Sequence, residues 1–157
     1  MTPAHFVTSR RVEFCETDLA GIVHFANYYR YMEQAEHEFF RSLGMSIAQT
    51  FPDGTIVGWP RVSSQCSYQT PAHYEDVLEI RIRVARLGLK SLTMDYEFLR
   101  STTLIATGRM KTVCCRFAHG EPMTSIEIPA EYIEKFHAAA PDVFVEADVR
   151  QENNSPE

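Results

Sequence analysis

Asp18 falls just after a strand-like stretch and just before the longest helix-like stretch of the chain, within Arg11-Val12-Glu13-Phe14-Cys15-Glu16-Thr17-Asp18-Leu19-Ala20-Gly21-Ile22-Val23-His24-Phe25-Ala26-Asn27-Tyr28-Tyr29. Gly21 permits a tight turn or a close backbone approach. The residues from His24 onward form a helix entrance, where unpaired backbone N–H groups and a partial positive charge are presented. A carboxylate beside such an entrance supplies the two halves of an acyl-transfer site. The carboxylate attacks a carbonyl or activates water to do so, and the N–H groups hold the oxyanion that develops. On spacing alone, Asp18 serves equally well as a turn or capping residue.

The elements that must position these groups follow from hydrophobic periodicity. Phe6 to Phe14 reads as a first strand. Tyr28, Tyr31, Met32, Ala35, Phe39 and Leu43 recur at three- and four-residue steps and predict one amphipathic helix over Tyr28–Leu43, closed by Gly44. A Pro/Gly-rich loop spans Phe51–Pro60. Alternating patterns then predict strands over Arg61–Tyr68, Leu78–Val84 and Leu92–Phe98, and a last strand over Leu104–Phe117, with short hairpin connections at Leu87–Lys90 and Arg100–Thr103. Pro129 at a first helical position opens a short closing helix through about His137. The order predicts an α+β fold, a five-stranded antiparallel sheet wrapped around one long helix. Its edges need cover, which predicts self-association through an edge strand.

The length of 157 residues suits one domain, assigned to residues 1–145, with an acidic tail over 146–157 that is expected to fray. Apolar residues at 45% and charged residues at 23% exclude wholesale disorder. The formal net charge of −6 argues against a nucleic-acid binder, although a local basic patch would suffice for a small phosphorylated ligand. The N-terminal stretch has no signal-peptide pattern and no apolar run suggests a membrane span. Cys15, Cys66, Cys114 and Cys115 form no CxxC pair, and the expectation is four reduced thiols in a cytoplasmic protein.

Glu16-Thr17-Asp18, Gly21, Ile22-Val23, His24-Phe25 and Tyr28, in this order, resemble the signature of the 4-hydroxybenzoyl-CoA thioesterase-like branch of the hotdog-fold acyl-CoA thioesterases. Gly58-Trp59-Pro60, Tyr74-Glu75-Asp76-Val77-Leu78, Lys90-Ser91 and Ile128-Pro129-Ala130-Glu131-Tyr132-Ile133 continue the similarity, which covers about Phe6 to Phe136. The resemblance implies hydrolysis of an acyl-CoA thioester. Asp18 would be nucleophile or general base, and the Phe25 backbone N–H at the helix start would polarise the carbonyl. It implies a homodimer or homotetramer with sites at subunit interfaces. Gly21, His24, Asn27 and Trp59 become substrate-binding candidates, and Arg86, Lys90 and Ser91 become candidates for the phosphates of CoA. No cofactor is implied, since CoA is part of the substrate, and no metal.

The chain departs from the pattern at one place. Many relatives carry a Tyr-His pair where this chain has His24-Phe25, so a role for that second histidine does not pass to Phe25, whereas a backbone donor is indifferent to the change. The bland readings stand beside these. Asn27 caps the helix more readily than it orients water, Trp59 packs at a strand entry as easily as it lines an acyl pocket, and basic residues in a hairpin tip are more often solvated. Asp18, His24, Glu33 and His37 fit no standard metal spacing, and Cys114-Cys115 with His119 lacks a third group. Two other readings of the fold are a non-catalytic acyl-CoA or acyl-carrier binding subunit and a dehydratase, for which no hydratase-type segment is evident.

Overall fold

Alternation along the strands builds the core. Leu78, Ile80, Ile82 and Val84 are buried, while Glu79, Arg81 and Arg83 between them face outward. The computed structural model describes residues 3–147; most of the expected acidic tail lies outside them. In chain order the elements are β1 (Phe6–Arg11), α1 (Ala26–Ser42), β2 (Ala48–Thr50), β3 (Ile56–Gly58), β4 (Arg61–Tyr68), β5 (Val77–Gly88), β6 (Ser91–Arg100), β7 (Thr103–Val113), β8 (Cys115–Phe117), β9 (Thr124–Ser125), α2 (Ala130–Ala139) and β10 (Val145–Glu146). A single 3-10 turn, Phe14–Glu16, follows β1.

The main sheet has the order β1-β5-β6-β7-β4, with every neighbouring pair antiparallel. It holds six strands rather than the expected five. β1 pairs only with Val77–Ile82 of β5, and the short β10 joins in parallel farther along, at Leu87 and Gly88, covering part of the edge that β1 leaves. A second sheet, β2-β3-β8-β9, is also present. Its strands are two or three residues long, too short to show a period. The stretch expected as one strand over Leu104–Phe117 is two strands in two sheets. At Cys114 the chain leaves the β7 ladder; its N–H donates to the Lys90 carbonyl at 2.7 Å and its carbonyl accepts from the Ile126 N–H at 2.9 Å. Both Cys114 and Cys115 are consequently buried, although adjacent residues of one strand would face opposite ways.

Helix α1 runs 17 residues and lays its apolar stripe on the sheet. Tyr28 meets Phe98 edge-on at 5.3 Å and Phe39 packs against Phe6 at 5.6 Å. Met32 rests on Gly108 of β7, where an added Cβ would lie 2.2 Å from the Met32 sulfur; the missing side chain is what lets helix and sheet approach. At the far end Phe40, Trp59 and Phe136 form a cluster with α2, a second helix of ten residues. No helix among the described residues is long and apolar enough to cross a membrane.

Glu36 is the one fully buried carboxylate among the described residues. Arg61, at the start of β4, brings Nη1 to 2.8 and 2.9 Å from its two oxygens. Burial pushes the Glu36 carboxyl up to about 7 in spite of the guanidinium. The native chain therefore holds this proton more tightly than the unfolded chain does. The resulting stabilisation is complete at low pH and is lost as pH rises from about 4.5 to about 7. In urea unfolding across pH 4 to 8, the stability difference between wild type and Glu36→Gln is expected to fall through that window and level off above it. A difference independent of pH would contradict this account.

Candidate active site

The Asp18 loop is a small hairpin built from backbone bonds. Thr17 bridges Val23, the Asp18 N–H donates to the Ile22 carbonyl at 2.9 Å, and the Gly21 N–H returns to the Asp18 carbonyl at 2.9 Å. Gly21 closes the turn at φ +75°, a left-handed conformation that favours glycine. The Asp18 side chain is half-buried. Its Oδ1 accepts the Ala20 N–H at 2.8 Å, which fixes the carboxylate in its turn, and no described group bonds Oδ2.

The hairpin leads directly into α1. The His24 N–H is used by the Glu16 carbonyl and the Ala26 N–H by His24 Nδ1, at 2.9 and 3.2 Å. The Asn27 N–H returns to the His24 carbonyl at 2.9 Å. Between them, the Phe25 N–H meets no acceptor among the described residues. Asp18, Phe25 and Tyr28 line one cavity of about 400 Å³. Its opposite wall is the 68–72 segment at the end of β4. The lining is mainly apolar and aromatic, with Asp18, Gln69 and Thr70 as polar points, and the volume is that of a small-ligand site.

Two tyrosines define the aromatic side. Tyr28 and Tyr68 meet edge-on at 5.2 Å, and the Tyr68 hydroxyl donates to the Phe25 carbonyl at 3.2 Å. Burial pushes the Tyr28 hydroxyl up to about 12 and also raises Tyr68, so both remain protonated donors near neutral pH. The wall is tied to the hairpin by the Val23 N–H, which donates to the Ala72 carbonyl at 2.9 Å, and by a bridge between Ile22 and His73. Asp76 and Arg100 hold the wall from behind. Asp76 Oδ2 accepts the His73 N–H at 2.8 Å and Arg100 Nη1 at 2.6 Å, and Arg100 also reaches the Pro71 carbonyl at 3.3 Å. Burial alone would raise the Asp76 carboxyl; these donors outweigh it and hold the group below its ordinary value.

The other residues singled out in the sequence are dispersed. Asn27 neither caps α1 nor lines the cavity. It is buried, its Nδ2 donates to the Glu16 carbonyl at 2.7 Å, and the cap position belongs to Phe25 without a side-chain bond. Trp59 lies in the cluster under α2, away from the cavity lining. Gly21 is at the hairpin tip and His24 is exposed, stacked on Phe25 at 4.6 Å. Arg86, Lys90 and Ser91 sit at the far end of the sheet. β5 has twelve residues between the cavity end, at Val77, and the hairpin end, at Gly88. At about 3.3 Å per residue that is roughly 35 Å within one chain. Arg86 there pairs with Glu146 at 3.0 Å and the Ala147 carbonyl at 2.7 Å, and Ser91 is buried. Sequence reading missed the 68–72 wall. Gln69-Thr70-Pro71 reads as an ordinary connection until the hairpin docks on it, so no local signal marked it.

Comparison with known proteins gives a consistent result. The profile of the thioesterase-like superfamily matches residues 12–145. The 4-hydroxybenzoyl-CoA thioesterase of Pseudomonas sp. (strain CBS-3) is 33% identical over 132 residues, covering 80% of this chain and 92% of that protein. Among solved structures, a hypothetical protein from Aquifex aeolicus aligns with a TM-score of 0.71 at 32% identity, over 83% of this chain and 98% of its own. A gentisyl-coenzyme A thioesterase aligns with a TM-score of 0.68 at 30% identity, again over 83% and 98%. An Asp→Asn form of 4-hydroxybenzoyl-CoA thioesterase, solved with 4-hydroxybenzoyl-CoA bound, aligns with a TM-score of 0.70 at 28% identity, over 83% and 96%.

The support behind the cavity wall gives a direct check. Arg100→Met releases both the Pro71 carbonyl and Asp76. Amide exchange at Val23, whose N–H bonds to Ala72, is expected to accelerate by about tenfold or more while the central β6 amides keep their protection. Unchanged exchange at Val23 would show that the wall stands without Arg100.

Proposed function

Because this chain belongs to the thioesterase-like superfamily, we propose that it hydrolyses an acyl-CoA thioester to the free acid and CoA at the Asp18 cavity. The observation that supports the reading is that Asp18 and Phe25 line one mainly apolar cavity, with no described partner for Asp18 Oδ2 or for the Phe25 N–H. In this scheme the Phe25 N–H, at the positive end of α1, polarises the thioester carbonyl and holds the oxyanion. Asp18 either takes a proton from an attacking water or adds to the carbonyl itself, giving a mixed anhydride that water then opens. In both routes the C–S bond breaks and CoA leaves as a thiolate that gains the displaced proton, so neither a metal nor a cofactor is required. Single turnover in 18O-water separates the two routes.

Aromatic acyl groups are the preferred substrates, followed by short branched and medium-chain acyls. The edge-on Tyr28–Tyr68 pair, with Pro71 and Ala72, gives the cavity an aromatic and apolar lining of the kind that accepts a ring. The bound thioester in an Asp→Asn form of a relative accords with a carboxylate needed for turnover rather than for binding. The four cysteines, none in a disulfide, suit the reducing cytoplasm.

Assembly explains how the distant basic hairpin joins the site. β4 is an outer strand of the main sheet, exposed along nearly all of its eight residues. Tyr68 at its C-terminal end lines the cavity, and Arg61 at its other end lies toward the β5–β6 hairpin. Antiparallel pairing of β4 with β4 of a second copy reverses one sheet against the other. The Arg86, Lys90 and Ser91 hairpin of one copy then falls at the cavity end of the other, three strand spacings or roughly 15 Å aside. A homodimer, alone or doubled to a homotetramer, with CoA spanning two chains follows from this pairing.

The alternative is a non-catalytic acyl-CoA or acyl-carrier binding subunit, and CoA release from a panel of thioesters, followed with a thiol reagent, distinguishes the two. Asp18→Asn is expected to cut turnover at least about a hundredfold while acyl-CoA binding persists. Near-normal turnover would remove Asp18 from the mechanism. Lys90→Ala is expected to raise KM for acyl-CoA more than for a short acyl-cysteamine thioester. Equal effects on both would detach Lys90 from the nucleotide end.

A further inference from the structure

Glu16 lies outside the cavity lining, yet four donors converge on it. Its Oε2 accepts the Glu13 N–H at 2.8 Å and the Tyr31 hydroxyl at 2.6 Å. Its backbone carbonyl accepts the His24 N–H at 2.9 Å and Asn27 Nδ2 at 2.7 Å. Asn27 and Tyr31 are four residues apart on α1, so they project from one face of successive turns and grip both ends of the same residue. Tyr31 is fully buried and Asn27 nearly so; neither lines the cavity, and both bond Glu16.

The chain positions make this grip a geometric joint. Asp18 is two residues after Glu16, and Phe25 stands between His24 and Asn27, the two residues whose N–H groups hold the Glu16 carbonyl. The carboxylate arm and the amide arm therefore leave from one point. The Ala72 and His73 contacts join the hairpin to the cavity wall, but they lie on the Ile22–Val23 side and do not fix Asp18 against α1. We propose that Glu16, gripped by Asn27 and Tyr31, is a positioning residue that sets the separation of the Asp18 carboxylate from the Phe25 N–H. The assignment rests on the thioester-hydrolase reading. A displacement of about 1 Å between reacting groups is enough to lower turnover strongly while ground-state binding is little changed.

The test uses a thioester that the wild-type chain hydrolyses, with kcat and KM measured for Tyr31→Phe and Asn27→Ala, each alone and in an Asp18→Asn background, at a temperature where circular dichroism shows every variant folded. Tyr31→Phe keeps the buried ring and carries the test if Asn27→Ala does not fold. The expected result is a fall in kcat of about tenfold with KM within about twofold, and no further fall when Asp18 is already Asn. Unchanged kcat in Tyr31→Phe overturns the proposal. So does an equal tenfold loss in both backgrounds, because the effect would then not pass through Asp18. A wild-type chain that hydrolyses no thioester on the panel overturns the function reading and this assignment together, whereas wild-type turnover with unaffected variants overturns this assignment alone.

Discussion

A carboxylate and an amide in one chain can line the same cavity only if the backbone between them reverses within a few residues. The Asp18–Phe25 segment meets that constraint closely. Gly21 supplies the left-handed turn, and the N–H groups of Asp18, Ala20, Gly21, Val23, His24 and Ala26 each find an acceptor nearby. The N–H groups of Leu19, Ile22 and Phe25 have no described acceptor, and of these residues Ile22 and Phe25 line the cavity. Phe25 is 60% exposed, so its N–H is open to water or to a ligand in the cavity. The turn also holds the carboxylate by one oxygen, and the other has no described partner.

The rest of the molecule holds that reversal in place from two sides. On the helix side, α1 is seated against the sheet by its aromatic stripe and by the close approach of Met32 to Gly108. On the sheet side, the segment from Pro71 to Asp76 is gripped by Arg100 and returns backbone bonds to Val12 and Val23. The cavity is thus formed by a rigid helix start and a braced loop, with few long flexible side chains in its lining. The buried Glu36–Arg61 pair joins the middle of α1 to the first residue of β4, the outer strand, at a site where desolvation opposes the charge. It ties the helix that carries the amide to the edge through which copies are proposed to meet.

The strand order is what supports the proposed pairing of two copies. The cavity and the basic β5–β6 hairpin lie at opposite ends of β5, and β4 runs exposed along the outside of the sheet. Polar ladder groups on an exposed edge are a template for another strand. In the proposed homodimer, a two-fold operation on that edge exchanges the ends, so one pairing would both cover the ladder and bring the hairpin of one copy beside the cavity of the other.

The residue order alone determined the long helix, three strands that alternate cleanly and the α+β class, because periodicity and turn chemistry are local properties written into neighbouring residues. On spacing Asp18 was as readily a turn residue, and its proposed role came from the family resemblance. The sheet order, the Cys114 break between two sheets and the six-strand count were decided by tertiary structure, since they depend on which distant backbone groups find partners. The cavity wall at 68–72, the bonding of Asn27 to Glu16, the placement of Trp59 under α2 and the distance of Lys90 from Asp18 belong to the same class. Each depends on how segments separated by ten to more than seventy residues are placed against one another. A side chain's type announces what bonds it can make, but only packing selects which of the available partners arrives within reach.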